Sequence, residues 1–110
     1  MTKFIGVVVY EILPDGCLNG VYANNGVDAK NKIFNEIARK KKKTENDDGI
    51  PGCYACSYID IGNSVHICDL EISNNNGQYT FIWKENETLK WEGIGWRTRD
   101  NQITVSYKNL

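Results

Sequence analysis

Residues 69–84 read DLEISNNNGQYTFIWK, two alternating runs that meet at Asn76-Gly77. An Asn-Gly pair between alternating runs is the strongest short-range signal for a two-residue hairpin turn. Pairing outward from that turn places four apolar side chains on one face of the hairpin: Leu70, Ile72, Phe81 and Trp83. The other face receives Asp69 opposite Lys84, a favourable cross-strand pair of opposite charges. Two independent patterns therefore predict the same antiparallel hairpin and the same register.

A second hairpin is predicted at the end of the chain, with its turn at Asp100-Asn101. Residues 103–108 alternate apolar and polar side chains, as a half-buried strand does. Since glycine inside a strand often marks a bulge, and since Trp91 and Trp96 differ in parity, we expect a bulge at Gly93. Outward pairing gives two facing pairs: Trp96 with Val105, and Ile94 with Tyr107.

The first half of the chain supplies further strands around clusters of turn residues. Residues 4–12 and 17–23 flank Leu13-Pro14-Asp15-Gly16, and residues 53–61 and 64–72 flank Gly62-Asn63. The run 64–72 is the first strand of the hairpin that turns at Asn76-Gly77, so the two hairpins described above and these runs make seven strands.

The segment 26–43 is ambiguous. Apolar residues at positions 33, 34, 37 and 38 recur at helical spacing, and Asp28 can cap the start of a short helix within 27–43. Residues 32–40 can equally serve as an eighth strand. With that strand, the chain is an all-β, antiparallel up-and-down meander of eight, the number that closes a small barrel around side chains or one small ligand. The length of 110 residues fits a single domain, 1–110.

Short motifs resemble those of lipocalin- and avidin-like β-barrels. Residues 18–24 read LNGVYAN, in which an aromatic residue follows a glycine by two positions and an Asn comes after it. Residues 52–107 are similar to small uncharacterised bacterial β-domains in the order of their Tyr-x-Phe-x-Trp, Glu-Gly-Ile-Gly and Val-Ser-Tyr motifs. The resemblance implies a barrel that holds a small molecule. It does not imply biotin, because the polar residues of an avidin-like biotin site have no counterpart here.

Charge and hydropathy limit the classes of partner. The 13 basic and 14 acidic residues give a net charge of -1, so the chain has no bulk attraction to nucleic acid or to anionic membranes. No apolar run is long enough to span a bilayer as a helix, and we expect a soluble domain. The protein is expected in the cytoplasm if Met1 is native, and outside it if a signal peptide was removed. The oligomeric state stays open.

Four cysteines and one histidine are the chemically most active side chains. Cys53-x-x-Cys56 with His66-x-Cys68 has the composition of a zinc site, but Cys53 and Cys56 on one strand point to opposite faces, so we predict no metal site. Cys56 and Cys68 share parity and can lie opposite each other. They can form a disulfide in an oxidising compartment, or remain buried thiols in a reducing one.

No catalytic residue or cofactor is predicted, because His66 has no nucleophile motif beside it and the chain has no phosphate-binding glycine loop. The leading hypothesis is a non-catalytic module that binds a small apolar or aromatic ligand inside the barrel. The alternative is a structural or protein–protein interaction domain with a filled core, associating through a sheet edge or an outer patch at Trp91. Glu92 can point inward, or a bulge can turn it outward. The candidate interior residues are Tyr79, Phe81, Trp83, Glu92, Trp96 and Tyr107.

Overall fold

Eight antiparallel strands form a closed barrel in the computed structural model, which describes residues 5–26, 32–41, 49–59 and 62–110. The strands are β1 (Ile5–Ile12), β2 (Leu18–Asn24), β3 (Phe34–Lys40), β4 (Gly52–Ile59), β5 (Val65–Asn75), β6 (Gln78–Glu85), β7 (Thr88–Arg99) and β8 (Gln102–Asn109). Each strand pairs with its neighbours along the chain, and β1 closes the barrel against β8. The predicted all-β meander of eight strands is confirmed, and the described residues contain no helix.

The hairpin of β5 and β6 has the predicted register. Asn76 and Gly77 adopt φ angles of 56° and 91°, the left-handed values that a two-residue type I′ turn requires. The Gly77 amide also donates a hydrogen bond to Asn74 Oδ1 at 2.8 Å, which fixes the entry to the turn. The predicted partners face each other: Asp69 and Lys84, Leu70 and Trp83, and Ile72 and Phe81.

The hairpin of β7 and β8 differs from the prediction by one residue. Its register shifts between Arg97 and Arg99, which leaves Thr98 as an extra residue on β7. Gly93 and Gly95 consequently face inward, and the expected bulge at Gly93 is wrong. The observed partners are Gly93 with Tyr107, Ile94 with Ser106, Gly95 with Val105 and Trp96 with Thr104.

Segment 34–40 is a strand, so the eighth strand is confirmed and the alternative of a helix is wrong for these residues. Residues 27–31 and 42–43 lie outside the described residues. Phe34, Glu36 and Ala38 point into the barrel. Ile33 is 74% exposed and Ile37 also lies on the outer surface. Because apolar residues occupy both faces, their spacing imitates a helix even though β3 pairs with both β2 and β4.

One end of the barrel interior is closed by packed side chains. At the end where β5 turns into β6, Ile50 and Tyr54 are fully buried, and the Tyr54 hydroxyl donates to the Ile50 carbonyl oxygen at 2.6 Å. Leu18, Ile103 and Tyr79 are buried with them. We call this the closed end.

Candidate functional site

The structure places four of the six predicted interior residues inside the barrel and two outside. Trp96 is 51% exposed, and Glu92 lies outside with its carboxylate 3.4 Å from Lys108 Nζ. The inward position predicted for these two is wrong, since the extra residue in β7 reverses their facing. Buried in the interior are Tyr79, Phe81, Trp83 and Tyr107.

The middle of the barrel is filled by aromatic rings. Phe81 stacks on Tyr10 with ring centroids 5.7 Å apart and on Trp83 at 5.6 Å. All three side chains are buried. Such offset stacks contribute beyond the area they bury, and they leave Phe81 as core rather than as an accessible wall.

The opposite end of the barrel is lined by half-buried rings. Tyr22 stacks on Phe34 with centroids 5.2 Å apart and meets Tyr58 edge-on at 6.4 Å. Trp91 meets the Tyr58 ring edge-on at 5.8 Å. We call the end formed by Tyr22, Phe34, Tyr58 and Trp91 the aromatic end. Its rings keep part of their surface exposed, whereas those of the closed end do not.

Polar groups hold the rings of the aromatic end in place. The Tyr58 hydroxyl donates to Glu85 Oε1 at 2.5 Å, and the Tyr22 hydroxyl donates to the Ile59 carbonyl oxygen at 3.2 Å. Burial and the hydrogen bond to Glu85 raise the pKa of Tyr58. The rings are therefore preorganised, which lowers the entropic cost of packing a ligand against them.

Glu36 lies on β3 just inside the aromatic end. Its carboxyl oxygen Oε2 accepts hydrogen bonds from the Tyr10 hydroxyl, from Trp83 Nε1 at 3.4 Å and from the Cys56 thiol at 3.6 Å. Only 7% of the residue is exposed. Among the described residues no donor reaches the second oxygen, Oε1.

Burial is the largest cause of the pKa shifts of Glu36 and Tyr10. It raises the pKa of Glu36, although the three donors oppose the shift by favouring the carboxylate. Burial and the nearby Glu36 charge raise the pKa of Tyr10 well above its ordinary value. The pKa of the Cys56 thiol is also raised, chiefly by a hydrogen bond with Cys68 and by burial.

Two glycines make room for the tyrosines that surround Glu36. A Cβ at Gly20 would lie 2.7 Å from the ring of Tyr10, and one at Gly6 would lie 2.3 Å from the ring of Tyr107. Each ring therefore lies directly against a backbone without a side chain. Asn24 Nδ2 donates to the Tyr107 hydroxyl at 3.1 Å, which orients that ring at the aromatic end.

Cys53 and Cys56 lie on opposite faces of β4. Cys56 and Cys68 are both buried and lie opposite each other across β4 and β5, as their parity predicts. Both are free thiols in this structure, and disulfide formation stays a prediction. Cys53 is exposed on the outer face, while His66 stacks on Tyr58 with centroids 5.1 Å apart. The described residues contain no group that could hold a metal ion.

Comparison with protein-family models, curated proteins and solved structures finds no match to this chain. No helix within the described ranges is long and apolar enough to cross a membrane. The fold and the arrangement of the site are therefore the observations on which a function can be proposed.

Sequence reasoning missed Glu36, although a signal for it is present. If 32–40 is taken as a strand, Glu36 falls on the same face as Phe34 and Ala38, which places a carboxylate between two apolar positions. The helical spacing of the isoleucines hid this alternation. The donors Tyr10 and Trp83 are distant in sequence, and only the closed barrel brings them to Glu36.

The raised pKa of Glu36 predicts a pH-dependent stability. The folded protein holds this proton more tightly than the unfolded chain, so the free energy of unfolding should fall as the pH rises above 4.5, the ordinary carboxyl value. One group contributes a slope of at most about 1.4 kcal/mol per pH unit, and the fall should end at the raised pKa of the folded state. Glu36→Gln lacks this contribution.

Urea denaturation of the wild type and of Glu36→Gln, from about pH 4 to about pH 7, measures the contribution of Glu36 to the pH dependence of stability. The other titrating groups are common to the two proteins. The stability of the wild type should fall more steeply than that of Glu36→Gln. Parallel curves would show that burial does not perturb Glu36.

Proposed function

We propose that this protein is a non-catalytic binding module whose barrel holds a small aromatic ligand at the aromatic end. The observation that carries the proposal is the contrast between the two ends. At one end Ile50 and Tyr54 are fully buried, whereas at the other Tyr22, Tyr58 and Trp91 are only partly buried. Aromatic side chains around a few fixed polar groups are typical of a small-molecule site.

The filled middle of the barrel limits where the ligand lies. Tyr10, Phe81 and Leu70 are completely buried, so the ligand packs on the rings of the aromatic end rather than among these side chains. Tyr79 and Phe81, two of the predicted interior residues, are then core. Trp83 and Tyr107 adjoin the ligand, because Trp83 donates a hydrogen bond to Glu36 and Tyr107 meets the ring of Tyr22 edge-on.

The resemblance to lipocalin- and avidin-like barrels supports the proposal, since closed eight-stranded meanders of that kind hold small ligands. On the same resemblance we propose a relationship to small bacterial β-domains. Fold analogy alone does not give a ligand, so the chemistry of the aromatic end carries the argument.

The acid–base chemistry of the cluster supports a non-catalytic role. A thiol is nucleophilic as the thiolate, and the raised pKa of Cys56 keeps it protonated. Tyr10 is held in its protonated form as well. Cys56 and Tyr10 are thus better suited to donating hydrogen bonds than to nucleophilic attack.

Two tryptophans on β7 provide a matched test with 4-fluorobenzyl alcohol as the probe. Trp91→Leu removes a ring of the aromatic end and should weaken binding about fivefold to tenfold, as expected for the loss of about 1 kcal/mol of aromatic contact. Trp96→Leu removes an exposed ring on the outer face and should leave the dissociation constant unchanged. Ligand-observed 19F NMR measures both constants.

Either of two results would overturn the proposal: equal weakening by both substitutions, or saturable binding of neither 4-fluorobenzyl alcohol nor its amine analogue, 4-fluorobenzylamine, to the wild type. Near-ultraviolet circular dichroism of each variant checks that the barrel is intact, because the other aromatic residues keep their packed signals in a folded variant.

The alternative function, a protein–protein interaction domain, is favoured by one observation. The outer surface of β1 to β5 carries several exposed large apolar side chains, namely Ile5, Val7, Val21, Ile37, Ile59, Val65 and Ile67. Association through a sheet edge has no support, because the eight described strands close on themselves, and Trp91 faces the aromatic end. Concentration-dependent sedimentation would favour association between copies of the chain, and a monomer at all concentrations would contradict it.

A further inference from the structure

One carboxyl oxygen of Glu36 accepts hydrogen bonds and the other accepts none. All three donors are directed to Oε2, and no described residue donates to Oε1. Among the described residues, every side-chain oxygen or nitrogen that is fully enclosed has a hydrogen-bond partner. Oε1 has no such partner, so it is not fully enclosed and contributes to the 7% of Glu36 that is exposed.

Along β3, Glu36 lies closer to the aromatic end than to the closed end. Glu36 is two residues from Phe34, where β3 begins, so its carboxyl is roughly 7 Å along the strand from that end. Toward the closed end, Ala38, Leu18 and Tyr54 are fully buried. A small molecule at the aromatic end is thus within reach of Oε1.

We infer that the ligand of this site is a small aromatic amine, whose ammonium group binds Oε1 of Glu36 while its ring packs on the aromatic end. The inference rests on the proposed function and names its ligand class. An ammonium group supplies the two things that Oε1 lacks: a hydrogen-bond donor and a positive charge.

The surroundings of Glu36 favour a cation over a neutral donor. No lysine or arginine of the described residues pairs with Glu36, and a buried carboxylate without a cation is costly. Tyr58 neighbours Glu36 across β3 and β4, so an aromatic ring lies beside the carboxyl.

The same placement sets the kind of probe. Because Glu36 lies two residues, roughly 7 Å, from the start of β3, an amine on a short carbon arm keeps its ring near that end of the barrel while its ammonium group reaches Glu36. A bare ammonium ion would reach Oε1 but would leave the rings unused.

The test compares 4-fluorobenzylamine with 4-fluorobenzyl alcohol, which has nearly the same shape without the charge. At about pH 7 the amine is protonated, and we expect the wild type to bind it at least about tenfold more tightly than the alcohol. Glu36→Gln places an amide in the position of the carboxyl. It should lose the preference for the amine and keep its affinity for the alcohol.

Glu92→Gln is the matched control, because Glu92 lies on the outer face beside Lys108. This variant should retain the preference for the amine. An equal loss of preference in both variants would show that net charge alone produces it, and would overturn the inference.

The outcomes separate this inference from the proposed function. If the wild type binds the alcohol but binds the amine no more tightly, the inference is wrong and the binding module stands. If neither probe binds, both are wrong. A second measurement does not depend on the folding of a variant: carboxyl 13C NMR of wild-type Glu36 should show its pKa lowered when the amine binds, and an unchanged pKa would contradict the inference.

Discussion

Phe81→Ala is expected to lower the free energy of unfolding by about 3–5 kcal/mol, the largest effect that we predict for a single substitution. The Phe81 side chain is completely buried and stacks on both Tyr10 and Trp83. Its removal loses the transfer free energy of the ring and leaves a cavity in a barrel whose closed wall cannot collapse freely. The loss is a large part of the stability of a domain of this size.

Urea denaturation of Phe81→Ala and of Ile94→Ala measures this effect against a control. Ile94 lies on the neighbouring strand but points outward, so its truncation should cost less than about 1 kcal/mol. Comparable losses for the two variants would contradict the assignment of inward and outward faces.

Gly93→Ala is expected to destabilise the protein by about 1–3 kcal/mol, the cost of overpacking a filled interior. A Cβ at this position would lie 2.8 Å from the carbonyl oxygen of Ser106 and 2.9 Å from Val105 Cγ1. The carbonyl belongs to the paired strand β8 and cannot move without breaking the ladder. Where alanine fits without strain, replacing glycine by alanine stabilises a protein by about 0.4–1 kcal/mol, because the unfolded chain has less conformational entropy. A lower free energy of unfolding for Gly93→Ala would therefore reflect crowding in the folded state.

Thermal or urea unfolding of Gly93→Ala beside Ser106→Ala checks this account. The serine side chain is exposed, and its removal leaves the backbone carbonyl in place, so that variant should stay within about 0.5 kcal/mol of the wild type. A stable Gly93→Ala protein would indicate that β7 has the register first expected from the sequence, with Gly93 on the outer face.

The hairpin of β5 and β6 could be predicted in full because two kinds of local information agree. The Asn76-Gly77 turn fixes which residues face each other, and the alternation of apolar residues fixes which face is buried. Neither depends on residues elsewhere in the chain.

The hairpin of β7 and β8 could not be predicted in the same way. Its turn was identified correctly, but the extra residue at Thr98 shifts every partner by one position, which exchanges Trp96 for Gly95 on the inner face. Large apolar side chains usually point inward, and here the crowding of the interior by Phe81, Val105 and Tyr107 reverses that preference. The crowding is a property of the closed barrel and is not visible in a local pattern.

The residues around the aromatic end follow only in part from the sequence. The alternation of the strands predicts Trp83 and Tyr107 as interior residues, whereas the isoleucines at 33 and 37 give the segment around Glu36 a helical spacing. The carboxyl group of Glu36 accepts hydrogen bonds from Tyr10, Cys56 and Trp83, which lie on three other strands. A site assembled from separated strands is specified by barrel closure and register together.

The most direct test of the account is a 1H–15N correlation spectrum of the wild-type protein titrated with 4-fluorobenzylamine. Binding at the aromatic end predicts saturable shifts of the amides of Tyr22, Glu36, Tyr58 and Trp91, with those of Tyr54 and Tyr79 at the closed end unchanged. Shifts centred on the closed end or the outer face, or no saturable shift at all, would contradict it.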